Sequence, residues 1–197
     1  MEKQKIIEEF QNYQNIIGKI DSFYRINEAL CHFFESSNAK FYSYGLVLSS
    51  INSALVCWQH SLCSILLCRN KESKNIPCSI DRILSEGITN DKNKVLYNKI
   101  VPYLKEIQKI INQESDNIEK LRNFRNNVYA HFNKKIFNEE WQIEYKVVNN
   151  FDFVKLREAC LRIFDNISAI LEILGAETFE KSIVLQRDIK KFIEKLD

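Results

Sequence analysis

Residues 41–68 read FYSYGLVLSSINSALVCWQHSLCSILLC and contain no Asp, Glu, Lys or Arg. Such an uncharged run is either a membrane span or a helix packed inside a protein. A span needs about 20 predominantly apolar residues and leaves no water for polar side chains. This run carries Ser43, Ser49, Ser50, Asn52, Ser53, Gln59, His60, Ser61 and Ser64. The reading is therefore a long central helix over about 39–69, buried on most sides. Its apolar line runs Tyr44, Val47, Leu48, Ile51, Leu55, Trp58, Leu62 and Ile65.

Working outward, the rest of the chain also reads as helix. Only 4 Gly and 2 Pro interrupt 197 residues, and 45% of them are hydrophobic. That composition favours long helices over a turn-rich β fold, and the length suits a single domain, 1–197, with a real core. Before the central helix, Ile6, Phe10, Ile16, Ile17, Ile20, Phe23 and Tyr24 recur at helical spacing. They predict a helix over 3–35, with Gly18 as a possible break. Ser36, Ser37 and Asn38 then form a turn.

After the central helix, Arg69 to Pro77 is polar and ends in a helix breaker. Ser79 is placed to cap a short helix, Ile80 to Ser85, which stops at Gly87. A helix over about 91–112 follows, capped by Asn90 or Asp91 and kinked at Pro102. Ser115 or Asp116 caps the next. Trp141, Ile143, Tyr145 and Val147 alternate, which suggests a short extended or hairpin segment. Phe153 to Leu174 reads as helix ending at Gly175, and a last helix covers about 177–196. The fold class is an all-α, up-and-down bundle of about five helices, with one irregular or hairpin excursion after residue 133.

Formal charge is +2. No global field draws the chain to nucleic acid or membrane, so any basic patch is local. Six cysteines show no CxxC and no histidine pairing at zinc-finger spacing, and Met1 opens no signal-peptide pattern. These features read as reduced thiols in a cytoplasmic protein without a metal or cofactor.

One stretch departs from the pattern of an ordinary amphipathic helix. In LRNFRNNVYAHFN, residues 121–133, Arg125 falls within about 20° of the centre of the stripe formed by Ile118, Leu121, Val128 and Phe132. His131 lies about 120° from Arg125 on the same straight helix, so the two meet only if two copies face each other or the helix bends. Arg122, Lys134 and Lys135, with Lys120, form a local basic edge. Such an edge either holds a phosphate backbone or is a solvated helix end. Tyr129, one turn after Arg125, either stacks on a base or packs. His60 and His32 read as packing residues.

RNNVYAH, residues 125–131, resembles the R-x4-6-H signature of HEPN domains, and Asn126 fits the polar residue that usually follows the arginine. The longer line LRNFRNNVYAH is similar to that of the abortive-infection subfamily. The resemblance extends over roughly residues 40–170, including NIPCSIDRIL at 75–84. It implies a HEPN-type bundle and a metal-independent RNA endonuclease of toxin or phage-defence type, working as a homodimer through the 116–133 helix, with an antitoxin or defence partner possible. The implied catalytic residues are Arg125, Asn126 and His131, and the implied RNA-binding residues are Arg122, Tyr129, Lys134 and Lys135. Two departures narrow this. His131 is followed by Phe132 and Asn133 rather than the Arg-Asp common in the subfamily. Asn133 also stands where some HEPN toxins carry a tyrosine, so silencing by nucleotide transfer to that tyrosine is not implied. The rival readings are a HEPN-fold interaction or RNA-binding module that does not cut, and an unrelated bundle.

Overall fold

A computed structural model describes residues 1–36, 41–69, 74–88, 94–126, 151–179 and 191. Among them are six helices: α1 (Lys3–Ser36), α2 (Phe41–Leu67), α3 (Ile76–Glu86), α4 (Lys94–Gln113), α5 (Ser115–Phe124) and α6 (Phe153–Ile173). The expected all-α bundle is observed, and no helix among the described residues is long and apolar enough to cross a membrane. The alternating segment at 141–147 lies outside the described residues, as does the helix expected over 177–196 apart from residues 177–179, which are not helical, and residue 191, which is.

The broadest packing is α1 against α2, followed by α4 and α1 against α6. One core draws on all six helices. α1 runs unbroken through Gly18, because helical φ suits any residue there and nothing crowds the position. Ile6, Phe10, Ile17 and Ile20 on its inner face are all but inaccessible.

α2 overturns the expected burial. Half of its apolar line points outward: Val47 is 60% exposed, Ile51 44%, Trp58 60% and Ile65 47%, while Leu62 packs against the core. The buried face is instead Gln59, His60, Cys63, Ser64, Leu66 and Leu67. On this face Cys63 Sγ lies 3.9 Å from Cys160 Sγ on α6. Periodicity identifies a helix with apolar residues on two faces, but not the face that docks.

Two caps also differ from the reading. α3 starts at Ile76, with the Asn75 side chain accepting the Cys78 amide at 3.0 Å. Pro77 thus sits in the first turn, where its missing N–H removes no helical bond. Ser79 is inside the helix and serves a buried network. Its hydroxyl meets Tyr13 Oη at 2.7 Å and donates to Glu9 Oε2 at 3.0 Å, which Arg82 also holds at 2.5 Å. Burial above all pushes the Tyr13 phenol up to about 12. The expected stop at Gly87 holds, with φ of 66°. α5 follows α4 almost directly through Glu114, whose side chain makes no capping bond, so neither Ser115 nor Asp116 is the cap. α6 begins where expected, capped by Asp152, and ends before Gly175 at φ 70°.

Candidate functional site

The described part of the stretch that stood out, residues 121–126, lies at the end of α5. The inner face of α5 is Ile118, Leu121 and Phe124, all buried in the chain's own interior. The stripe read as a dimer seam is therefore, over its described length, packed within one chain. Arg125 stands at the edge of this face and is half-buried, while Arg122, Asn123 and Asn126 are exposed. At Arg125 and Asn126 the helix widens into a π-type turn. Such turns alter the angular step, so a regular 100° progression does not hold through Arg125 and Asn126.

The Arg125 guanidinium bonds the side-chain oxygen of Asn126, from Nη2 at 2.9 Å and from Nε at 3.3 Å. Among the described residues it has no carboxylate partner. It faces a cavity of about 320 Å³. α5 contributes Arg122, Arg125 and Asn126 to this cavity, and the end of α2 contributes Ser64, Ile65, Cys68 and Arg69. Arg122 reaches Glu119 at 3.2 Å, and Arg69 reaches Asp81 at 3.1 Å, both at exposed positions. Three guanidinium groups thus border one opening, and the half-buried one is held by a neutral amide. An arginine fork matches phosphate geometry and keeps its charge at any physiological pH.

Cys68 lies at the same wall. Burial raises its pKa, against the lowering influence of its Ser64 contact and of Arg125 and Arg122. It stays a thiol. None of the six cysteines forms a disulfide.

Behind the cavity sits an aromatic cage. The His60 ring lies 4.9 Å from Phe151, 4.9 Å from Phe153 and 5.7 Å from Phe124, centroid to centroid. Phe124 and Phe151 are themselves 5.2 Å apart. Burial pulls the His60 pKa from 6.5 to about 4, so at neutral pH it is an uncharged packing ring, as its sequence context suggested. A reciprocal pair closes the same point: Asn117 Nδ2 donates to the Asp152 carbonyl at 2.9 Å, and the Asp152 amide donates to Asn117 Oδ1 at 2.7 Å. Phe124 and Phe151, between which the chain carries most of the motif, are thereby held near each other.

Of the sequence-derived site residues, Arg122, Arg125 and Asn126 come together at one cavity. Tyr129, His131, Lys134 and Lys135 lie outside the described residues. Arg69 was not singled out, although a signal existed: it is the first charged residue after the uncharged run 41–68. A charge placed where a buried helix surfaces marks the rim of the core. Comparison of the chain with models of protein families, with curated proteins and with solved structures found no match.

Proposed function

We propose that the chain is a HEPN-type, metal-independent RNA endonuclease of the toxin or phage-defence kind, with Arg125 and His131 as its catalytic pair. The observation that carries this reading is the Arg125 guanidinium. It borders a cavity, is bonded to a neutral amide, and stands beside two further arginines. In the proposed reaction the ribose 2′-OH attacks the adjacent phosphorus. The bond to the 5′-oxygen of the next nucleotide breaks, leaving a 2′,3′-cyclic phosphate and a 5′-OH. His131 moves the proton from the 2′-OH or to the leaving oxygen. Arg125 holds the non-bridging phosphate oxygens as charge builds on them, and Asn126 orients the guanidinium. Arg122, Tyr129, Lys134 and Lys135 bind the flanking RNA.

A second copy of the chain completes the site in this reading. The contact is assigned to α2, because the described inner face of α5 is occupied by the chain's own core. The exposed Val47, Ile51, Trp58 and Ile65 run toward the cavity, which Ile65 borders. No charge lies between Phe41 and Cys68, so two copies of this face meet without like-charge repulsion, as an isologous contact requires.

The test is cleavage of mixed RNA in EDTA by wild type, Arg125→Ala and His131→Ala, with the product ends identified. Cyclic-phosphate ends from wild type, and loss of cleavage in both folded variants, are the expected result. Wild type that binds RNA without cutting would replace this reading with the non-catalytic module.

A further inference from the structure

We propose that Arg69 is a third phosphate-holding residue, which extends the binding edge for single-stranded RNA from α5 onto the end of α2. This rests on the RNA-binding reading above and adds to it a residue and a direction. A second cavity, of about 170 Å³, lies beside the first. The two share Arg69, Arg122 and Cys68, so these residues form the wall between them. A chain of phosphates that reaches Arg125 through the first cavity meets Arg122 and Arg69 next. The second cavity combines apolar Ile111 and Ile118 with polar Asn112 and Ser115 and with Glu119, whose carboxylate is paired with Arg122, a lining suited to the sugar or base of a flanking nucleotide rather than to its phosphate.

Arg69 is free to make this contact. Its side chain is 62% exposed and its partner Asp81 is 42% exposed, so water screens the pair and it adds little to stability. Gln108 Nε2 donates to Asp81 Oδ1 at 3.2 Å, and the carboxylate keeps that bond when the guanidinium turns to a phosphate. Phosphate offers the fork a bidentate partner of the same geometry and greater charge. The uncharged run before Arg69 brings no carboxylate to compete.

The probe is a short single-stranded RNA with 2′-O-methyl groups, which cannot be cleaved by attack of the 2′-oxygen. Its affinity is measured by fluorescence anisotropy over a range of salt concentrations. Arg69→Gln is expected to weaken binding roughly fivefold to tenfold and to make the slope of log K against log salt shallower by about 0.7. Lys19→Ala on α1 removes one exposed charge away from the cavities and serves as the control. Asp81→Asn is expected to tighten binding in wild type and to have no such effect in the Arg69→Gln background. An Arg69→Gln slope equal to that of Lys19→Ala, or an Asp81→Asn gain of equal size in both backgrounds, overturns the proposal. Cleavage by wild type is scored separately on unmodified RNA, so failure of the nuclease reading leaves the Arg69 result intact.

Discussion

Arg157 and Arg125 are the same residue type put to opposite uses. Arg157 binds Asp21 Oδ1 through Nη2 at 2.5 Å and Nε at 2.8 Å, and its guanidinium lies 4.2 Å from the centre of the Tyr24 ring. Arg25 takes the other Asp21 oxygen at 2.7 Å. This cluster joins α1 to α6, with Asp21 only 8% exposed. Arg125 is half-buried too, yet its partner is a neutral amide and it borders open space. The lesson is that an arginine's meaning lies in what neutralises it. A buried carboxylate makes it a clamp between helices, whereas a neutral amide, or a carboxylate that water screens, leaves its charge available to a phosphate.

The comparison breaks most visibly at the site itself. Arg125→Ala should lower cleavage at least about a hundredfold, from loss of charge stabilisation at the phosphate, while its thermal midpoint moves little. Activity of a folded Arg125→Ala near wild type would make Arg125 another structural arginine. At the clamp the pattern reverses. Asp21→Ala strands two cations and should destabilise the fold by about 3 kcal/mol in urea denaturation. The RNA affinity of its folded fraction should hold. A loss below about 1 kcal/mol would show the clamp to be as weakly coupled as a surface pair.

The cage between these regions gives a pH test. His60 is 8% exposed and titrates near 4 in the fold, against 6.5 when unfolded. The unfolded chain therefore binds the extra proton between those values. Stability is full above pH 6.5 and falls as the pH drops toward 4, by up to about 3 kcal/mol from this residue. In His60→Gln the slope of unfolding free energy over that window should flatten relative to wild type. An unchanged slope would mean that the ring charges without leaving its cage. The smallest effect belongs to α1. Gly18 has helical geometry and open space around it, so Gly18→Ala should raise stability by roughly 0.5 to 1 kcal/mol, with RNA binding unchanged.

Much of the architecture was legible because helix formation is local. Spacing placed α1, α2 and α6 to within a few residues, and Gly87 and Gly175 closed their helices through left-handed φ values that glycine adopts freely. Caps were less legible, since Asn75 and Ser79 can both accept an amide and only the packing of Pro77 and the Glu9 network separates them. The arginine of the motif stood out by sitting on an apolar stripe. Arg69 did not, because its neighbours at the cavity are Arg122 and Arg125, far away in sequence.

The amino-acid sequence by itself determined that the chain is helical, where most helices start and stop, and that Arg125 is out of place on its stripe. These follow from backbone propensity and from periodicity within a single helix. Tertiary structure alone decided which side of α2 is inside. It turned Gln59, His60, Cys63 and Ser64 to the core and left Val47, Ile51, Trp58 and Ile65 in solvent. It also gathered Arg69, Arg122 and Arg125 around one opening. The reason is physical: a helix's face is chosen by the shapes of the helices it packs against, which periodicity within a single helix does not encode.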